Sequence, residues 1–237
     1  MARTLKIISL LLSYPTRELL QALPELRAAL DADEAAGPAA KAALGALIDD
    51  LAGRDLYDAE ERYVLLFDRT RTLSLHLFEH VHGESRDRGQ AMVDLAAMYE
   101  ADGFEIDARE LPDYLPMFLE FLSTRPEAAT RELLGQTLHI VSALRERLKT
   151  RGSIYAGAFL ALEVIAGGKA DRDAVAEILK VPEDDPDDLE ALDAIWEEEA
   201  VTFAAGAGTG DCGPDRLRRQ LRAADRPAPR PDTSGGF

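Results

Sequence analysis

Leucine, isoleucine, valine and alanine recur along this chain at intervals of three and four residues, the spacing that gathers side chains onto one face of a helix. Residues 4–13 predict a short apolar helix stopped by Pro15, and Thr16 stands where it can cap a second. That second helix carries Leu19, Leu20, Leu23, Leu26 and Leu30, with Pro24 inside it as an expected kink or break. Pro38 opens an alanine-rich helix to about Leu51, and Asp55 or Asp58 can start the next, which bears Tyr63, Leu66 and Phe67. Farther on, residues 86–101 put Met92, Leu95, Ala96 and Tyr99 on one face, closed by Gly103. Residues 110–123 predict a helix with Pro112 in its first turn and Pro116 near enough to the start to be tolerated; Leu115, Phe118, Leu119 and Leu122 form its core side. The longest predicted helix spans 126–149, with a stripe of Leu133, Leu134, Leu138, Val141 and Leu144, beside which His139 reads as a boundary histidine. Residues 154–165 are apolar nearly all round, with Glu163 the only charge, and predict a helix buried on several sides and ended by Gly167 and Gly168. A short helix over 173–179 leads to Pro182.

At 237 residues the chain is long enough for one substantial core, in one or two domains, and its composition, 46% hydrophobic but only 6% aromatic, favours helices packed on helices, an all-α class. Its net charge of -17 argues against nucleic acid and anionic membranes as partners, since both attract basic surfaces. The single cysteine, Cys212, cannot form an internal disulfide, which points to a reducing compartment. The opening MARTLKIISLLLSYP has an apolar run too short for a signal peptide, and no stretch approaches the ~20 apolar residues of a membrane span. A cytoplasmic protein without stable membrane association is expected. Residues 183–199 hold ten carboxylates and no Lys or Arg, yet Leu189, Leu192, Ile195, Trp196 and Phe203 keep a helical stripe, so an acidic-faced helix is predicted. From 205 to 237 the periodicity stops and six glycines and four prolines appear, which divides the chain into a helical domain, 1–204, and a disordered tail, 205–237.

Candidate chemistry concentrates in residues 63–99, which hold three of the four histidines. Placed on a helix, Leu73, Leu77 and Val81 make a stripe, and His76, Glu79 and His80 share the adjoining polar arc. Two readings of that arc follow. His76-Leu77-Phe78-Glu79-His80 matches H-x-x-E-H, in which two histidines one turn apart bind zinc and the glutamate activates its water, although no distinctive third ligand is offered. The other reading is a helix whose histidines make ordinary hydrogen bonds at its polar boundary. Nearby, Asp68, Glu79, Glu84 and Asp87 balance Arg69, Arg71, Arg86 and Arg88, which suggests arginines held by carboxylates. The chain has no G-x-S-x-G, no Gly-rich phosphate loop and no nucleophile with a base beside it, so binding rather than catalysis is expected, with a non-catalytic acidic adaptor as one form of it.

FEHVHGESRDRGQAM, residues 78–92, within the longer segment 67–95, resembles the signature of the NarJ-type nitrate reductase molybdenum cofactor assembly chaperones, also called the delta subunit. LLSYP (11–15), ELPDYLPMFLEFL (110–122) and LDAIWEEEAVTF (192–203) agree with it. The resemblance implies the all-helical fold of the redox enzyme maturation chaperones, a single bundle, and no enzymatic activity. It implies as partner the apo catalytic subunit of a respiratory nitrate reductase, bound through its N-terminal peptide, with cofactor-insertion proteins as further partners and the molybdenum cofactor belonging to the client. It places the peptide site at Tyr63, Asp68, Arg71, His76, Glu79, His80, His82, Glu84, Arg86, Asp87 and Arg88, with Pro112, Asp113 and Tyr114. Tyr114 departs from the pattern, for related chaperones carry a histidine there.

Overall fold

Helix α1 (Ala2–Leu11) shows how the apolar spacing becomes a core: Leu5, Ile8 and Leu11 are buried together, and the two polar side chains buried with them are both satisfied, Thr4 donating to Asp33 at 2.6 Å and Ser9 to the Pro116 carbonyl at 2.7 Å. Burying such a leucine or isoleucine contributes about 1.5–3 kcal/mol, against about 1 for a good cap, so packing decides the fold and capping trims its edges. The computed structural model describes residues 1–82, 86–106 and 110–183, all within one compact unit. The predicted acidic helix beyond Glu183, Cys212, the tail and the boundary at 204 lie outside the described residues.

Eleven α-helices are described, and no strand beyond one isolated bridge is found among the described residues. Thr16 caps α2 (Arg17–Asp31), accepting from the Leu19 N–H at 3.2 Å, and the helix continues unbroken through Pro24. α3 (Gly37–Ala52) packs against both α2 and α10 (Ala156–Ala166). The approach of α10 is close because Gly157 has no side chain: a Cβ there would sit 2.9 Å from the Ala43 carbonyl oxygen. The lone charge of α10, Glu163, accepts from Ser142 and Arg145 of α9 (Leu138–Thr150) at 2.7 and 2.8 Å. Gly167, at φ +68°, ends the helix in the left-handed region.

α4 (Leu56–Tyr63), capped by Asp55, passes into a widened π-type turn, Val64–Asp68, in which the Arg69 N–H reaches back five residues to Val64. α5 (Glu79–His82) is a single turn, and α6 (Arg86–Ala101) buries Leu95 and Tyr99. Gly103, at φ +73°, closes α6 as expected, with the Phe104 N–H returning to the Tyr99 carbonyl. α7 (Leu115–Ser123) packs on α1, and α11 (Arg172–Leu179) on α9. On α9 the buried Arg147 donates to the carbonyls of Thr72, Ile178 and Val181 at 2.6, 2.8 and 3.0 Å.

Three expectations are corrected. The long helix over 126–149 is two, α8 (Glu127–Gln136) and α9, because the Thr137 hydroxyl donates to the Leu134 carbonyl and competes with the helical bond there. Pro116, not Pro112, occupies the first turn of α7; residues 111–114 form a turn whose Asp113 carbonyl is engaged elsewhere. The helix proposed over 73–81 does not form either. After a 3-10 turn, Arg71–Leu73, the chain runs extended to an antiparallel bridge between His76 and Tyr114. On that extended stretch Leu75 and Leu77 are buried on either side of a half-buried His76, and Val81, assigned to the helical stripe, is 50% exposed.

Candidate functional site

Asp113 is fully buried, and a carboxylate in that position needs hydrogen bonds to replace water. One oxygen accepts from the Phe78 N–H at 3.0 Å, and the other lies 3.1 Å from Nδ1 of His76. The backbone adds two more links, from the Leu77 N–H to the Asp113 carbonyl at 3.0 Å and from the Leu115 N–H to the Leu75 carbonyl at 2.8 Å. Residues 75–78 are thereby laced to 113–115 at the start of α7. The Tyr99 hydroxyl, on α6, donates to the Pro112 carbonyl at 2.8 Å and holds the turn from its other side.

The two histidines of this segment carry opposite electrostatics. Burial opposes charge on His76, but the bond to Asp113 and the charges of Asp113, Glu79 and Glu110 outweigh it, and its pKa is raised above 6.5. His80 turns inward. Its Nε2 lies 2.8 Å from the Ser74 carbonyl, an atom that can only accept, so Nε2 carries the proton; burial lowers its pKa and keeps the ring neutral. Beside them the Tyr63 hydroxyl donates to the Leu12 carbonyl at 2.9 Å, which leaves its oxygen to accept from the Tyr114 hydroxyl, also at 2.9 Å. Burial pushes the Tyr114 hydroxyl up to about 12 and raises Tyr63 too, so both remain protonated at neutral pH.

Next to this network lies a pocket of about 200 Å³ walled by Tyr14, Tyr63, Phe67 and Tyr114, floored by Leu75 and His76, and edged by Asp68 and Glu110. Tyr14 meets Tyr63 edge-on at 5.5 Å, and Tyr63 meets Phe67 at 5.1 Å. Burial and then repulsion from Glu110 raise the Asp68 pKa, with His76 partly offsetting them. Two more open hollows continue along the surface. One, of about 530 Å³, shares Tyr14 and is lined by Tyr57, Asp58, Glu60, Glu61, Val64, Leu65 and Arg69; the other, of about 540 Å³, shares Tyr57 and reaches Leu20 and Leu56.

The family model for the nitrate reductase delta subunit matches residues 17–161, which include the laced segments and every residue lining the first pocket except Tyr14. The chain belongs to the nitrate reductase delta subunit family. Among its relatives, the Escherichia coli K12 nitrate reductase molybdenum cofactor assembly chaperone NarJ is 44% identical over 233 residues, 98% of each chain. NarW of the same strain, named for the same assembly role, is 41% identical over 92% of this chain and 90% of its own. A crystal structure from Archaeoglobus fulgidus, of a protein assigned to redox enzyme maturation, shares the fold with a TM-score of 0.52 at 21% identity, covering 71% of this chain and 94% of that one.

In this delta subunit family chain the predicted site residues fall into distinct groups. Tyr63, Asp68, His76 and Tyr114 converge on the pocket, with Asp113 behind His76 and Pro112 behind Asp113. Glu79 pairs with Arg88 at 3.0 Å, both about one-quarter exposed, a bond worth about 0–1 kcal/mol. Arg71 and Asp87 are exposed and do not line the pocket, and His80 points away to Ser74. Glu84 and the side chains of His82 and Arg86 lie outside what is described. Sequence reasoning missed Tyr14, Phe67, Leu75 and Glu110; Tyr14 and Glu110 stood inside quoted segments, LLSYP and ELPDYL, whose polar members gave the signal. The H-x-x-E-H reading lacks the helix it requires. His76 is on extended backbone and bound to Asp113, His80 is bound to Ser74, and no metal-binding group of three His, Cys, Asp or Glu occurs among the described residues.

Proposed function

We propose that this chain is the assembly chaperone of a respiratory nitrate reductase. It binds the N-terminal segment of the apo catalytic subunit in the cytoplasm and keeps that subunit open to molybdenum cofactor insertion before membrane attachment. It has no catalytic role; the cofactor belongs to the client, and cofactor-insertion proteins are further partners. The observation that carries this reading is the 44% identity to NarJ along 98% of both chains.

The surface supports the mode of binding. Three depressions joined through Tyr14 and Tyr57 offer Leu20, Val64, Leu65 and Leu75 to the apolar side of an amphipathic peptide, while Asp58, Glu60, Glu61, Asp68 and Glu110 stand beside them for its basic residues. Apolar anchors supply burial in such a complex, and the charges set register and association rate. No helix among the described residues is long and apolar enough to cross a membrane.

Calorimetric titration of the full chain with a synthetic peptide copied from the client's N-terminus tests the proposal, with NMR to locate the contact. One bound peptide per chain is expected, with the largest shifts at Tyr14, Leu75, His76 and Tyr114. No binding, or shifts confined to a distant face such as α8, would reject it.

A further inference from the structure

We infer that the 200 Å³ pocket is the seat of a single cationic side chain of the bound peptide, an arginine or lysine whose head group enters among the Tyr14, Tyr63, Phe67 and Tyr114 rings and is met by the Asp68 and Glu110 carboxylates. This rests on the peptide-binding reading above and assigns one chemical group of the peptide to one part of the surface.

The walls and the charges point the same way. Aromatic rings attract a cation through the negative potential of their faces, and more strongly where water is partly excluded. The charge of the lining is negative in either state of His76. Protonated, His76 is neutralised by the Asp113 it is bonded to; neutral, it leaves Asp113 charged, and in both cases Asp68 and Glu110 add carboxylates of their own. Among the described residues neither is held by the fold: Asp68 makes no hydrogen bond or ion pair with any of them, and the only ion-pair partner of Glu110 within 4 Å is the His76 Nε2, 3.9 Å away and beyond hydrogen-bond reach. Carboxylates that do serve the fold here are held at close range, as Asp50 is by Arg54 and Arg62 and Glu163 by Arg145.

Other occupants fit worse. An apolar side chain would strip water from two carboxylates and return no hydrogen bond, which is unfavourable. An anionic one would meet like charge. No described Lys or Arg lines the pocket. A space of this size receives one head group and the end of its stem; the rest of the peptide must lie along the neighbouring hollows that begin at Tyr14.

The test uses the full chain and the client's N-terminal peptide, with each lysine or arginine of the peptide replaced in turn by norleucine. At one position the replacement should raise Kd about tenfold. Against a chain carrying both Asp68→Asn and Glu110→Gln, whose exposed sites leave the circular dichroism unchanged, the same replacement should change Kd less than about twofold. Tyr14→Leu, which keeps the carboxylates but removes one ring, should weaken the parent peptide and spare the peptide lacking that cation. Equal losses on the wild-type and doubly substituted chains at every position would overturn the cation seat while leaving peptide binding in place. Failure of the parent peptide to bind at all would instead overturn the peptide reading, and ethylguanidinium then decides the pocket. Saturable shifts of the Tyr14, Tyr63 and Tyr114 ring protons, lost in the doubly substituted chain, support the seat, and their absence rejects it.

Discussion

Asp113 is the buried acceptor that serves both the Phe78 N–H and the Nδ1 side of the His76 ring. Asp113→Ala would leave the Phe78 N–H and the His76 ring without their acceptor in a water-poor interior, at a cost of about 1–3 kcal/mol. Urea denaturation should show it as a lower midpoint with an unchanged slope; a shift within experimental error would mean that the lacing is not structural. The two neighbouring histidines predict opposite pH dependence. His76 has its folded pKa raised above 6.5, so its stabilisation is fully present below pH 6.5 and is lost as pH climbs through the folded value. His80 has a lowered folded pKa, so the unfolded chain takes up a proton near pH 6.5 that the folded ring refuses, and stability falls as pH drops below that point toward the folded value. His76→Gln should flatten the first slope and His80→Gln the second. NMR titration of the ring protons should place His76 above 6.5 and His80 below it, and the reverse order would refute the assignment.

Between elements, α10 sits close on α3, and that closeness depends on a missing side chain. Gly157→Ala puts a methyl group 2.9 Å from a backbone oxygen that cannot swing aside, so the helices must separate. A loss of about 1–3 kcal/mol is expected from such overpacking, measurable as a fall in thermal midpoint, whereas Gly135→Ala on α8, which meets nothing within 4 Å, should be neutral or better. The helices themselves were legible because each is held by its own three-and-four-residue periodicity: Thr16, Asp55, Gly103 and Gly167 mark their ends as local chemistry requires. The histidine segment was not legible in the same way. Leu73, Leu77 and Val81 fit a helix, Leu75 and Leu77 fit an extended stretch, and the choice falls to Asp113, thirty-seven residues beyond His76 in the chain. Periodicity carries no trace of that partner. The pocket was half legible for a related reason: Tyr63, Asp68, His76 and Tyr114 belong to conspicuous polar clusters, whereas Tyr14 and Glu110 stood in segments that could be noticed singly but whose meeting follows from folding, which brings the chain after α1 beside the chain before α7.

At the scale of the whole molecule, the net charge of -17 sets a field that attracts a basic peptide before any contact is made. Raising salt from about 0.1 M to about 1 M shortens the reach of that field from about 10 Å to about 3 Å. The Kd of the client peptide should therefore rise with salt, mainly through slower association; a salt-independent Kd would leave apolar burial as the sole source of affinity. Arg147 carries a consequence of another kind, for the engineering of shorter forms. Its guanidinium grips Thr72, just ahead of the extended histidine segment, and with the same nitrogens the carbonyls of Ile178 and Val181. A truncated fragment stopping before Ile178 would retain nearly every apolar side chain of the bundle and still loosen the segment that carries His76, a defect that faster hydrogen exchange at the Leu77 and Leu115 amides would reveal.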